Sequence, residues 1–358
     1  MSSATTPTTA PPAARPAKDP RLIALRRFAL SITVFTVLGH TVLGFEQAYA
    51  TPLAALAAAY VLELGLEALD AWAAQRPRKF AGGPRALMEF LLPAHITALA
   101  CAMLLYANSR LGPVVLAVAV GITSKYLIRI RINGKVRHVM NPSNLGIAVV
   151  LVLFPWVGIA PPYQFTEWIG GALDWVVPAL ILVSGTMLNA MLTKKVPLIL
   201  GWVGGFALQA VVRTTVEGTA TASALLAMTG VAFVLFTNYM ITDPGTTPFR
   251  PRNQFWFGAA TAGVYGLLVA VHVVYGLFFA LVIVCALRAF ALGAQSARRR
   301  VGEPAAPVPP PEHQARAVPD APADGAEADG AKGAKGTAGA ADGPSPEPAR
   351  AASSDEAR

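Results

Sequence analysis

LGPVVLAVAVGITSKYLIRIRINGKVRHVMNPSNLGIAVVLVLF, residues 111–154, sets two apolar runs on either side of a basic segment. KYLIRIRI alternates like a strand, Asn133-Gly134 is a turn signal, and KVRHVM returns as a second short strand. Asn141-Pro142-Ser143-Asn144 then introduces the next apolar run, where Ser143 or Asn144 can cap a helix and satisfy its free N–H groups. Apolar, basic, apolar is the pattern of two membrane helices joined by a cytoplasmic loop.

The rest of the chain repeats that pattern. The 358 residues are 54% hydrophobic and 14% charged, with mean hydropathy +0.50. A soluble domain carries about 25% charged residues, so this composition excludes that class for most of the chain. About ten apolar runs stand near 28–46, 51–69, 87–106, 111–127, 145–161, 171–190, 196–214, 222–241, 254–270 and 272–291. With the N-terminus inside, 22 of the Lys and Arg residues up to position 300 fall on the inner side and only Arg110 and Arg213 on the outer. The expected fold is an all-α polytopic membrane protein of about ten transmembrane helices in the cytoplasmic (inner) membrane, both termini cytoplasmic. Its two groups of five spans would have opposite topology.

The pI near 9.8 therefore reports membrane topology and not nucleic acid. Residues 1–25 read as a disordered arm, 26–291 as the membrane domain, and 292–358, rich in Ala, Pro, Gly and acids, as a disordered tail. Cys101 and Cys285 lie in apolar runs and read as small buried hydrophobes. No metal-ligand set is visible in the sequence.

Ionisable groups at membrane depth are costly and are functional candidates. Glu63 and Glu67 share a face of the second span, and Glu89 and His95 lie on the third. They read either as a proton path or as helix–helix pairing. His40 reads as a core histidine, Asp174 and Arg213 as a packing pair near Glu217, and Gly201, Gly204 and Gly205 as close helix contacts.

TNYMITDPGTTPFRPRNQ, residues 237–254, is the second marked loop. Pro244-Gly245 is a type II turn pair, and Asp243 can accept N–H bonds at the turn. Asn238, Thr242, Asp243 and Thr246 cluster at a helix end beside Tyr239, with Arg250 and Arg252 adding charge. Both loops fall on one face of the expected topology. They form either a shared site or simple helix-end satisfaction.

KVRHVMNPSNLGIAVVLVLFPWV (135–157) and FTNYMITDPGTTP (236–248) resemble the two signatures of the NqrB/RnfD family of membrane electron-transport proteins. Its members belong to the sodium-pumping NADH:quinone reductase and to the Rnf complex. GTMLNAMLTKKVPLILGW (185–202), NPSN and YMITDPGTTP more closely resemble UnbU-type membrane proteins found with enediyne biosynthesis genes. The resemblance covers about 25–290 and implies a ten-helix, flavin-carrying redox protein. The family's covalent FMN attachment, Ser/Thr-Gly-Ala-Thr, has no counterpart in PPYQFTEWIGG (161–171), and Ser184-Gly185-Thr186 is a near miss elsewhere. Covalent FMN is therefore not expected; non-covalent FMN or riboflavin, or a quinone, is.

In that reading Asn141, Asn144, Asn238, Asp243 and Thr246 bond the ring or ribityl chain, Tyr239 packs on it, and Arg137 and Arg250 meet phosphate. The lipid bilayer surrounds it, and membrane or cytoplasmic redox or biosynthetic proteins are the expected partners. The rival is a transporter or permease-like protein for a hydrophobic metabolite, coupled through Glu63, Glu67, Glu89 and His95. A third reading is a scaffold acting through the basic face and acidic tail.

Overall fold

Apolar runs in lipid must satisfy their backbone internally, and helices do so. The computed structural model describes residues 20–302, apart from 133, 134 and 162. It is mainly helical. The first half holds α1 (Pro20–Leu38, prolonged by a π turn over Gly39–Leu43), α2 (Ala50–Ala73), α3 (Pro84–Leu104), α4 (Leu111–Leu127) and α5 (Pro142–Leu153). The second holds α6 (Leu173–Leu188, prolonged by a π turn over Asn189–Thr193), α7 (Val196–Glu217), α8 (Thr221–Leu226), α9 (Val231–Leu235, prolonged by a π turn over Phe236–Met240), α10 (Pro251–Ala270) and α11 (Gly276–Gly302). Pro84, Pro142, Pro197 and Pro251 sit in the first turns of α3, α5, α7 and α10, where a missing N–H costs nothing.

Among the described residues six helical stretches are long and apolar enough to cross a bilayer, which makes this a multi-pass membrane protein: Leu22–Leu43, Ala50–Ala73, Pro84–Leu104, Val176–Thr193, Val196–Glu217 and Gly276–Ser296. A seventh arises if Thr221–Thr229 and Ala232–Met240, bent by 64°, count as one. The other expected spans fall short for visible reasons. α4 and α5 have only 17 and 12 residues, and α10 carries Asn253 and Gln254 near its start.

Helix also extends past the expected domain boundaries, from Pro20 at one end to Gly302 at the other. Residues 20–25 and 292–302 are thus helical and not arm or tail; 1–19 and 303–358 lie outside the described residues.

Three helix contacts of the first half recur in the second. α1 lies on α3 and α6 on α9; α2 lies on α4 and α7 on α10; α4 meets α5 and α10 meets α11. Both leading helices end the same way, in a π turn closed by a left-handed residue, Gly44 (φ 83°) after α1 and Lys194 (φ 53°) after α6. α5 and α11 join the halves.

At the crossing of α7 and α10, Gly201 faces the Phe255 carbonyl and Gly258 faces that of Leu198, so closely that a methyl group on either would overlap backbone. Gly205 also touches α10, at Ala262, but Gly204 has nothing within 4 Å and is no contact. The cysteines are buried and free. His40 is buried, its Nδ1 donating to Thr36 O at 2.8 Å, while its Nε2 finds no partner among the described residues. Arg213 pairs with Glu217 at 3.1 Å on the same helix; the Asp174 side chain lies outside the described ones.

Candidate functional site

The expected hairpin forms: β2 (Arg129–Ile132) pairs antiparallel with β3 (Lys135–His138), Ile132 opposite Lys135. Two other short strands, β1 (Leu105–Tyr106) and β4 (Gly158–Ile159), pair elsewhere. After β3 the chain enters α5, and its cap is Asn141, not Ser143 or Asn144. Pro142 opens the helix, so the residue before it becomes the cap. Asn141 Oδ1 accepts from Asn144 N at 3.0 Å and from the Ser143 hydroxyl at 2.9 Å, while its Nδ2 donates to Met240 O at 3.0 Å. That last bond ties the first marked loop to the second.

In the second loop Asp243 Oδ1 accepts from Gly245 N at 3.0 Å, and Oδ2 from the Thr246 hydroxyl at 3.2 Å. Gly245 is not among the residues with positive φ, so the expected type II turn does not form. An Asp-centred turn replaces it, because the carboxylate supplies the acceptors. Gly245 serves close approach instead: a methyl group there would overlap the His138 ring. His138 Nε2 thereby comes to 3.5 Å from Asp243 Oδ2. Burial alone would raise the Asp243 carboxyl, but the His138 imidazole, the Gly245 N–H and the Thr246 hydroxyl hold it below the usual carboxylate range.

The joined loops close one end of a cavity of about 130 Å³. Its long walls are apolar: Phe28, Ile32 and Phe35 from α1, and Ile96, Ala100 and Met103 from α3. Tyr239 stands edge-on to Phe28 and Phe35, with ring centres 5.5 and 6.3 Å away. Asn141, Ser143, Thr242, Asp243 and His138 provide its polar groups, together with Lys125. The arrangement suits a flat apolar molecule with hydrogen-bonding groups at an edge.

Of the residues expected to bind a cofactor, Asn141, Tyr239 and Asp243 line this cavity. The others do not. Asn144 Nδ2 donates to Phe278 O at 2.9 Å, and Asn238 is buried with Nδ2 on Val234 O at 3.2 Å. Thr246 is spent on Asp243. Arg137 lies on the Phe249 ring, 4.4 Å from its centre, and Arg250 is exposed before α10.

The cavity thus receives no phosphate-binding arginine from the expected pair, and its lysine is already paired. Ser184 and Thr186 bond to Tyr239 and Asn238 inside the bundle.

The three intramembrane carboxylates are paired with bases, and His95 is held by hydroxyls. Glu63, 3% exposed, takes Lys125 Nζ at 2.7 Å and the Tyr126 hydroxyl at 3.2 Å. Glu67, fully buried, takes Arg76 at 2.6 Å and Lys79 at 2.9 Å. Glu89 pairs with Arg26 and Arg85. His95 bonds the hydroxyls of Thr33 and Tyr60, each at 2.7 Å. These contacts tie α1, α2, α3 and α4 together.

Lys195 was legible only as a topology charge, yet it is buried and its Nζ donates to Pro248 O at 2.8 Å. Burial pushes its amine down to about 8, with Asp243 opposing and Arg288 and Arg137 assisting. Between that value and the ordinary 10.5 the unfolded chain holds a proton that the native one has released, so stability rises with pH across this window. The melting temperature in detergent is expected to climb from pH 8 towards 10, and Lys195→Met to flatten that climb.

Fold and site together define a helical multi-pass membrane protein with a largely apolar cavity. No family model matches the sequence, and no curated protein matches it.

Proposed function

We propose that the protein is a membrane redox protein that takes a quinone into this cavity and passes electrons to it. The observation carrying this reading is the meeting of the two signature loops at the polar part of an otherwise apolar slot. The quinone ring lies between α1 and α3. A separate redox partner supplies two electrons, and two protons complete the quinol. His138, held by Asp243, relays one proton to a quinone oxygen, and the other comes from solvent. The neutralised Glu63, Glu67 and Glu89 favour this reading over coupled transport.

The reading includes a ten-segment bundle of two inverted halves in the cytoplasmic membrane, termini inside, as the repeated packing and paired π turns support. It places the chain with the UnbU-type proteins and their electron-transport relatives, in natural-product biosynthesis.

Organic extraction of protein purified from native membranes tests it. Quinone near one per chain is expected, and Ala100→Trp, which fills the slot without touching its polar groups, should remove it. A quinone-free extract, with no saturable binding of added naphthoquinone, overturns the proposal. Yellow flavin released on denaturation would instead make a phosphate-free flavin the occupant.

A further inference from the structure

Beyond the C-terminal end of α3, the segments that follow α1 and β4 close over Leu105 and Tyr106. They enclose a small cavity of about 10 Å³, lined by Glu46, Gln47, Tyr106, Tyr163, Gln164 and Glu167. That is room for one water-sized sphere.

The two glutamines are oriented by their own donors. Gln164 Nε2 donates to Met103 O at 3.2 Å, and Gln47 Nε2 donates to Leu105 O at 2.9 Å. Each amide nitrogen is thus committed to the end of α3, which fixes which way the amide faces. Both Oε1 atoms are buried and have no hydrogen-bond partner among the described residues. Gln164 is only 4% exposed. A buried bare carbonyl is costly, and two lining one cavity need a shared explanation.

Charge supplies it. Glu46 and Glu167 are exposed at the same cavity, and Glu46 Oε2 accepts from the Tyr106 hydroxyl at 3.2 Å. Among the described residues no salt bridge reaches either carboxylate.

We propose that this cavity binds one divalent cation of the calcium class, with carbonyl oxygens from Gln47 and Gln164 and carboxylates from Glu46 and Glu167. Calcium accepts a mixed, irregular set of carboxylate and amide oxygens, whereas magnesium demands a regular octahedron and keeps its water. Two carboxylates match two positive charges, which sodium does not. The bound ion would clamp both segments to the end of α3.

Terbium luminescence on the full-length protein in chelator-treated detergent tests this, because Tyr106 and Tyr163 line the cavity and can sensitise the lanthanide. Saturable emission displaced by calcium, and not by equal sodium or magnesium, is expected. The double variant Glu46→Gln, Glu167→Gln should weaken terbium binding by about tenfold or more, as loss of two charged ligands requires. Calcium should also raise the melting temperature of the wild type and leave the variant unmoved; both changes are isosteric and exposed, so the variant folds. Emission that never saturates, or that persists unchanged in the variant, overturns the site. Absence of calcium-dependent stabilisation assigns the cavity to a water molecule and overturns it equally.

Discussion

Gly201→Leu is expected to abolish recovery of folded protein. Gly201 lies where α7 crosses α10, against the backbone carbonyl of Phe255, and a methyl group at that position would already overlap it. Backbone cannot rotate away as a side chain can. The helices must separate, and the same crossing contains Gly258 against Leu198, so the contact is lost from both sides. Forced overpacking commonly costs about 1–3 kcal/mol, and displacement of a whole helix pair reaches about 4 kcal/mol or more. Gly204→Leu is the control, since Gly204 is exposed and has nothing within 4 Å. Size-exclusion profiles of the two fluorescent-tagged variants compare them directly. Equal monodisperse yields would show that the crossing tolerates a side chain.

Glu63→Gln is expected to be the most damaging isosteric change in the bundle. It leaves the Lys125 ammonium, 14% exposed, without its counter-charge, while the amide oxygen can still accept from the Tyr126 hydroxyl. Breaking one side of a buried pair costs about 3–5 kcal/mol, because the remaining charge stays desolvated. Glu63→Gln combined with Lys125→Met removes both charges and should regain most of that loss. Thermal melts in detergent of the wild type, the single and the double variants read this out. A single variant as stable as the wild type would mean that Lys125 reaches solvent unaided. Lys125 also lines the large cavity, so the single variant should weaken occupancy by an apolar molecule beyond its effect on stability.

The placement of helices was legible because apolar runs and basic loops are a property of composition alone. Breaks within helices were not. Nothing in FTVLGHTVLGF or GTMLNAMLTKK distinguishes a π turn from an α turn, since the choice depends on how the following helix docks. The bend of 64° before α9 follows Gly230, which a sequence reading absorbs into one apolar run.

The joining of the two marked loops was legible from the side of the membrane they share, and Asn141, Tyr239 and Asp243 duly meet at the cavity. Its apolar wall was missed. Phe28, Ile32 and Phe35 stand at i, i+4 and i+7 on α1, a signal present in the sequence but hidden among equally apolar neighbours. Formal charge says nothing of direction, and neither Arg137 nor Arg250 lines the cavity: Arg137 lies on an aromatic ring and Arg250 is exposed.

With 12 residues, α5 is about 18 Å long, against about 30 Å of hydrocarbon, and so cannot lodge in a bilayer by itself as it leaves the ribosome. Its buried face needs α4, which is already made, and Asn144 near its start needs the Phe278 carbonyl, which is not. Until α11 emerges, a polar amide and a short apolar rod must wait at the membrane. Assembly of the first half is therefore completed by α11, which is made long after it, and a chain stopped before residue 276 should be a substrate for membrane quality control.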